Sequence, residues 1–232
     1  MQISNFSALE KKLGLVFPSR ERLMQVFIHR SYLNEHSEPE IASNERLEFL
    51  GDAVLELVVT EYLYHKYPDK AEGDLTAIRS SLVKREHLAL VAKNLQLGDY
   101  LIFSRGEEQS GGNKKDYILA NTIEALLGAI FLTFGYKDAE RVITDHILPY
   151  EAAIVETKSF IDAKSKLQEI AQEKLAITPH YELLREQGPD HNKIFVVVVC
   201  FKDDKIAEGQ GSSKRKAEEK AAHASLEQLG WM

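Results

Sequence analysis

The sequence contains one cysteine, Cys200, so no disulfide can form within the chain. No apolar run approaches the roughly 18 residues of a membrane-spanning helix. Met1 to Glu10 lack a basic segment leading into an apolar stretch, so no secretory signal is visible. These absences favour a cytoplasmic protein in a reducing compartment, with no membrane partner. The 232 residues are 28% charged and 44% hydrophobic, which is an ordinary globular composition for one large domain or two smaller ones.

Several catalytic motifs are also missing. The sequence has no Glu-x-x-His pair, which disfavours a di-iron bundle, and no His-Glu-x-x-His or paired cysteines to indicate zinc. It has no glycine-rich phosphate loop followed by Lys-Ser or Lys-Thr. His29, within His29-Arg30-Ser31, is predicted to be structural rather than catalytic.

The net charge of −7 is unevenly distributed along the chain. Residues 157–232 carry 12 basic and 12 acidic side chains, so the net acidity lies in residues 1–156. An acidic segment of this kind is compatible with a metal-rich site or with a solvated surface, and charge alone does not separate the two.

Apolar residues recur at helical spacing through the first two-thirds of the chain. The clearest run is Leu47, Leu50, Val54, Leu55, Val58, Val59 and Leu63. Ser43 or Asn44 is predicted to cap this helix. Further helix is predicted after Gly73-Asp74, from about Ile118 to near Gly135, and from about Lys137 to Val155.

The pattern changes after about Lys158, and a domain boundary is predicted near Thr157 to Ile161. A helix is predicted from Ala163 to about Leu175, and a second from about Ser213 to Leu229. Between them, the β-branched and alternating segments Tyr181–Glu186, Ile194–Phe201 and Ile206–Gln210 are predicted to be strands, the third a short one. The order α-β-β-β-α over about 70 residues suits a small separate domain.

Acidic residues mark a candidate metal site. Glu45, Glu48 and Asp52 follow at i, i+3 and i+7, so they share one face of a helix beside its apolar stripe. Such carboxylates suit Mg²⁺ or Mn²⁺, although an exposed acidic face would have the same spacing. Glu124 lies among small and apolar residues, which favours either a metal ligand or a salt bridge. Glu72 is predicted in a turn, where it is either part of the wider site or an exposed loop acid.

The second candidate site is the basic helix start Lys214-Arg215-Lys216, which follows Gly209-Gln210-Gly211-Ser212-Ser213. Cations at a helix N-terminus oppose the macrodipole, so their placement suggests that they face phosphate together with the free N–H groups. A solvated charge run is the alternative. Gln168, Glu169 and His191 are further candidate contacts to RNA, or merely polar surface residues.

The segment Asn44 to Leu55 resembles the signature of the ribonuclease III family. The resemblance continues through His29-Arg30-Ser31, Glu72-Gly73-Asp74, Gly106-Glu107-Glu108, Gly111-Gly112 and Ile118 to Ala125. The C-terminal segment resembles the double-stranded-RNA-binding domain of bacterial members. The resemblance implies an all-helical nuclease domain over residues 5–135, with its last helix reaching about residue 156, and an α-β-β-β-α RNA-binding domain over residues 161–230.

The resemblance also implies an activity and a set of roles. The expected enzyme is a homodimer that hydrolyses double-stranded RNA to 5′-phosphate and 3′-hydroxyl ends, with Mg²⁺ as cofactor and Mn²⁺ as a substitute. Ribosomal and messenger RNA precursors are the expected substrates. The implied roles are catalytic acids Asp52 and Glu124, metal ligands Glu48, Asn121 and Glu124, supporting acids Glu45 and Glu72, dimer-interface residue Phe49, and RNA-binding residues Gln168, Glu169, His191, Lys214, Arg215 and Lys216.

Two positions depart from the family pattern. Asn121 stands where an aspartate is usual, and an amide brings no negative charge to a metal site. Glu218 stands where many RNA-binding domains have a third cation. A duplex-RNA-binding regulator without catalysis is therefore a rival interpretation, and a helical metal-dependent enzyme that does not act on nucleic acid is a third.

Overall fold

The chain divides into two units, residues 1–160 and 161–232, in the computed structural model. The structure describes residues 5–36, 42–156, 162–189 and 193–231. Each unit contains its own cluster of buried apolar side chains. An all-helical arrangement is followed by a mixed helix and sheet arrangement, which confirms the predicted fold class.

Helices build the described part of the first unit, joined by single 3-10 turns at Leu97–Tyr100, Gly112–Lys114 and Leu148–Tyr150. The helices are α1 (Ser7–Leu13), α2 (Arg20–Gln25), α3 (Arg30–Leu33), α4 (Glu45–Lys66), α5 (Glu72–Val83), α6 (Arg85–Asn94), α7 (Arg105–Gln109), α8 (Asp116–Phe134), α9 (Tyr136–His146) and α10 (Glu151–Glu156).

Helix α8 is the central element of this unit and packs against α4, α6 and α9. By length and composition it would qualify as a membrane-crossing helix, but 61% of that apolar segment is buried inside the unit. Burial in a protein core therefore accounts for its hydropathy. The expectation that no segment approaches this length overlooked α8, because Asn121 and Glu124 interrupt its apolar run.

Asn44 occupies the N-cap position of α4, as predicted, but its side chain makes no capping hydrogen bond. Asn44 already has helical backbone angles, and its buried amide donates to the carbonyl of Val26 at 3.0 Å. The Ser43 hydroxyl donates instead to the Glu45 carboxylate at 3.1 Å. Asn44 thus connects the start of α4 to the segment after α2, which positions the helix within the unit.

Three predicted boundaries also change. Glu72 begins α5 rather than lying in a turn, and Lys84, in an extended conformation, separates α5 from α6. The helix predicted from Lys137 to Val155 is interrupted: α9 ends at His146, and a 3-10 turn containing Pro149 precedes α10. Proline lacks the N–H that a continuous helix would need at this point.

The second unit is a three-stranded antiparallel sheet with two helices on one face. Strands β1 (His180–Gln187), β2 (Ile194–Phe201) and β3 (Asp204–Gly211) pair in that order, and α11 (Ala163–Leu175) and α12 (Lys214–Gln228) flank them in sequence. The third strand is as long as the others, not short as predicted. Leu167 and Leu226 from the helices join Val199 and Phe201 from β2 in the core.

Candidate functional site

The acidic residues of the first unit converge where α4 crosses α8. A Cβ added to Gly51 would overlap the carbonyl oxygen of Glu124, and one added to Gly128 would overlap that of Leu47. The two helix backbones are therefore in direct contact, which only glycine permits. This close approach brings Glu48 and Asp52 on α4 beside Glu124 on α8.

Electrostatic effects confirm that these carboxylates are neighbours. Burial, together with the negative charges of Asp52 and Glu48, raises the pKa of Glu124 to about 8. Burial also raises the pKa of Glu48, with contributions from Glu45 and Asp52, whereas a hydrogen bond from Asn121 lowers it. Among the described residues, no ion pair joins Glu48, Asp52 or Glu124 to a basic side chain. The cluster, formed by Glu48, Asp52, Asn121 and Glu124, therefore has an unbalanced negative charge.

The two supporting acids differ in position. Glu45 lies at the rim of the cluster, 3.7 Å from the Arg30 guanidinium, and its charge acts on Glu48. Glu72 is exposed at the start of α5 and accepts a hydrogen bond from Thr76, one turn later in its own helix. No described hydrogen bond or ion pair connects Glu72 to the cluster.

A cleft of about 740 Å³ opens beside the cluster. Its lining includes His29, Arg30, Glu107, Tyr117 and Asn121. The ring of His29 accepts from the backbone N–H of Ser31, which caps α3, in line with the predicted structural role of this histidine.

Sequence reasoning assigned no role to the ion pair between Glu107 and Lys115, 2.6 Å apart at one side of the cleft. The hydrogen bond from Lys115 lowers the pKa of Glu107. The two residues are eight positions apart and separated by a turn, so no helical periodicity relates them. The available signals were the family resemblance at Gly106-Glu107-Glu108 and the glycines 111 and 112 between the two residues.

The basic helix start of the second unit has the predicted geometry. The Ser213 hydroxyl caps α12 by accepting from the N–H of Lys216. Lys214, Arg215 and Lys216 are all exposed. Lys214 lies 3.7 Å from Glu186 and Arg215 lies 3.1 Å from Glu219, whereas Lys216 makes no ion pair with a described residue.

Gly209 and Gly211, which precede α12 in the sequence, allow β3 and this helix to pack closely. A Cβ on Gly209 or Gly211 would overlap the backbone of α12 at Ala221 or Ala217. The helix therefore lies directly on β3, and this contact fixes where its basic start emerges from the sheet.

The other predicted RNA contacts are less informative. Gln168 and Glu169 are exposed on α11. His191 lies outside the described residues. Glu218, which replaces an expected cation, forms an ion pair with Lys164 of α11 at 2.5 Å. This pair links the two helices of the unit and leaves Lys164 partly neutralised.

Comparisons with known proteins cover both units. The family model described as Ribonuclease-III-like matches residues 20–151, and the double-stranded RNA binding motif matches residues 163–229. The chain is similar to "Ribonuclease 3" of Syntrophotalea carbinolica, with 39% identity and 99% of each chain covered. It is also similar to "Ribonuclease 3" of Syntrophomonas wolfei, with 46% identity over 92% of this chain and 90% of the relative.

A solved nuclease domain of ribonuclease III from Campylobacter jejuni matches the first part of the chain. The identity is 41% and the TM-score 0.58, with 62% of this chain and 97% of that domain covered. That structure concerns flexibility in a region involved in dimer formation.

Proposed function

The chain belongs to the ribonuclease III family and is a double-stranded-RNA-specific endoribonuclease, and we propose that the cluster at the crossing of α4 and α8 is its catalytic centre. The observation that carries this proposal is the convergence of Glu48, Asp52 and Glu124, with the pKa of Glu124 raised to about 8. Carboxylates held together without a basic partner are stabilised by a bound cation. Perturbed acids beside a cleft are also typical of functional sites.

The residues present fit a divalent metal ion. Family members are metal-dependent nucleases, and the specific ion proposed here is Mg²⁺, with Mn²⁺ as a substitute. Carboxylate and amide oxygens are the ligands that these hard cations prefer. Glu48, Asn121 and Glu124 would hold the ion, and Asp52 and Glu124 would act on the reacting groups.

Hydrolysis at this centre is expected to leave a 5′-phosphate and a 3′-hydroxyl. A bound Mg²⁺ supplies activation of the attacking water and charge stabilisation at the leaving oxygen. The carboxylate of Asp52 would accept a proton from that water. Asn121 orients Glu48 through its hydrogen bond. Glu124 must lose the proton that its raised pKa favours before it can act as a ligand.

Asn121 is proposed to weaken metal binding without abolishing activity. An aspartate at this position would add a negative charge, whereas the amide supplies only an oxygen and an N–H donor. The Asn121 side chain also lowers the pKa of Glu48 and so favours its charged form. Part of the lost charge is therefore offset by a more readily ionised neighbour.

The second unit is proposed to bind duplex RNA through two surfaces. The basic start of α12 would contact phosphates, and Gln168 and Glu169 on α11, with His191, would contact the minor groove. The domains proposed are residues 5–135, extended to about 156, for the nuclease and residues 161–230 for RNA binding. Ribosomal and other RNA precursors in the cytoplasm are the proposed substrates.

A homodimer through Phe49 is also proposed. Phe49 is 81% exposed and Leu132 is 51% exposed, and both line a groove of about 1080 Å³ with Met24 and Ile28. Exposed apolar side chains around such a groove indicate an interaction surface. A symmetric dimer would bury one copy of this surface against the other.

Cleavage of a long, perfectly paired RNA duplex, with and without Mg²⁺, tests the proposed centre, with Glu124→Ala as the matched variant. We expect Mg²⁺-dependent cutting that Glu124→Ala reduces by at least about a thousandfold, since a ligand and a catalytic group are lost together. Undiminished cutting by Glu124→Ala would place the centre elsewhere. Binding without cutting at any Mg²⁺ or Mn²⁺ concentration would support the regulator interpretation. Asn121→Asp would then be the first variant to test for restored cutting.

A further inference from the structure

Three side chains of types that can ligate metals, each of different chemistry, meet on the sheet of the second unit. His180 and Glu182 lie on β1, and Cys200 lies on β2 directly opposite His180. Val199 and Phe201 face the helices, and successive side chains of a strand alternate between faces. Cys200, His180 and Glu182 therefore share the face of the sheet opposite α11 and α12.

The spacing of their donor atoms suits a single small ion. The sulfur of Cys200, a carboxylate oxygen of Glu182 and a ring nitrogen of His180 all lie within 4.8 Å of one another. His180 Nε2 is 3.5 Å from Glu182 Oε1. Two ligands of a tetrahedral zinc ion, with bonds of about 2.0–2.1 Å, are separated by about 3.4 Å. The nitrogen and oxygen thus already have nearly the separation that zinc requires.

We propose that His180, Glu182 and Cys200 form a zinc-binding site on the sheet of the RNA-binding unit, independent of the catalytic centre. Sulfur, nitrogen and oxygen together suit Zn²⁺ rather than Mg²⁺, which prefers oxygen alone. Cys200 is buried at the base of the site, while His180 and Glu182 are exposed above it. A fourth position is open to water on the exposed side.

The bound ion would join β1 to β2 as a cross-strand clip. Cys200 on β2 lies 18 residues after Glu182 and 20 after His180 on β1, which is why no cysteine or histidine motif reveals the site in the sequence. The basic start of α12 belongs to the helical layer on the other face, so the ion stabilises the unit without covering that surface. Binding releases the thiol proton of Cys200 to the buffer.

The single cysteine makes the site directly testable in the full chain. Titration with Co²⁺ alone, followed by absorption spectroscopy, should give a sulfur-to-metal charge-transfer band and visible bands of tetrahedral intensity. Because Cys200 is the chain's one sulfhydryl group, this band can arise from no other residue. Co²⁺ at the carboxylate cluster of the first unit has no sulfur ligand and gives no such band. Added Zn²⁺ should remove the band by displacement.

Substitutions at the two exposed ligands test metal binding without disturbing the buried core. His180→Ala and Glu182→Gln should each weaken Co²⁺ binding about tenfold or more, because each removes one of three protein ligands. Glu208→Gln is the matched control: Glu208 lies opposite Val198 on β3, level with Glu182 but one strand further away. This control should leave the Co²⁺ affinity within about twofold of the parent value. Zn²⁺ should also raise the Tm of the parent chain more than that of His180→Ala.

Absence of a charge-transfer band at saturating Co²⁺ would overturn the proposal. A band that His180→Ala and Glu182→Gln leave unchanged would also overturn it, because Cys200 would then bind metal without these partners. Neither result depends on RNA cleavage, so the proposed zinc site and the proposed catalytic centre are tested independently.

Discussion

Glu124 is held in an environment that opposes its charge. It is partly buried on α8, and two other carboxylates lie beside it, so its pKa rises from 4.5 to about 8. Near neutral pH without metal, this residue mostly holds a proton. A bound divalent ion would reverse that preference, which couples metal binding to proton release.

The stability of the metal-free protein should reflect this raised pKa. Because the pKa of Glu124 is raised in the folded state, its contribution to the free energy of unfolding is fully present below its ordinary pKa of 4.5. This contribution is lost as the pH rises through about 8. In EDTA, urea unfolding should therefore show Glu124→Gln becoming more stable than the parent as the pH rises from 4.5 to 8. The difference in the free energy of unfolding should reach about 2 kcal/mol above pH 8, a value reduced because the side chain is partly exposed. A difference independent of pH would contradict this account of Glu124.

The amide side chain of Asn121 can be tested separately. Asn121→Asp adds a fourth carboxyl group to the cluster and removes the N–H donor to Glu48. We expect the Mg²⁺ concentration for half-maximal cleavage to fall about tenfold, because ligand charge strengthens the binding of hard cations. Asn121→Ala, which removes the donor without adding charge, should raise that concentration. An unchanged Mg²⁺ requirement in Asn121→Asp would refute a role for this position in metal affinity.

At the scale of the elements, the crossing of α4 and α8 assembles the site. Each helix has a glycine at the contact, Gly51 and Gly128, and each glycine faces the backbone of the other helix. The carboxylates on either side are thereby held by two well-packed helices rather than by loops. Rigid elements of this kind preserve the ligand geometry that catalysis needs.

Replacing Gly51 by alanine should destabilise the protein, although this replacement usually stabilises a helix. Alanine normally stabilises a helix by up to about 1 kcal/mol relative to glycine. At position 51 the new Cβ would overlap the Glu124 carbonyl, so Gly51→Ala should cost about 3 kcal/mol, the upper end of the usual cost of overpacking, and strongly reduce cleavage. Gly73→Ala in α5 is the matched control, since a Cβ there meets nothing within 4 Å. Denaturant unfolding of both variants would measure the contrast, and a stable, active Gly51→Ala would mean that the helices can separate without damage.

At the scale of the whole molecule, the chain combines two units with separate cores and separate tasks. The first concentrates negative charge, and the second presents cations at the start of α12. A homodimer would contain two RNA-binding units, and two linked sites bind a long duplex more tightly than one. Residues 157–232 carry equal numbers of basic and acidic side chains, and Glu218 pairs with Lys164, so a single RNA-binding unit is expected to bind duplex RNA only modestly.

Phe49→Ala tests the proposed dimer. Loss of this exposed aromatic side chain should convert the protein to a monomer and weaken binding to long duplex RNA about a hundredfold, because the second RNA-binding unit is lost. Tyr64→Ala provides the control, since Tyr64 is a 68% exposed aromatic on the same helix. Analytical ultracentrifugation would measure the oligomeric state. A Phe49→Ala dimer as stable as that of Tyr64→Ala would exclude Phe49 from the interface.

Local sequence patterns predicted the main helices and strands and the chemistry that they carry. Helical periodicity predicted α4 and α8, and the spacing of Glu45, Glu48 and Asp52 placed them on one helix face, because both are local properties of the chain. The β-branched run Ile194 to Phe201 likewise predicted the central strand, and the family resemblance predicted the activity.

Contacts between groups that are distant in the sequence depend on how the complete elements pack. Glu124 is 76 residues after Glu48, and their proximity depends on the contact at Gly51 and Gly128, which no local pattern reveals. The register of β1 and β2 similarly brings His180 opposite Cys200. Long-range contacts are selected by the packing of complete elements, so the charges, pKa values and donor distances that depend on them are properties of the fold.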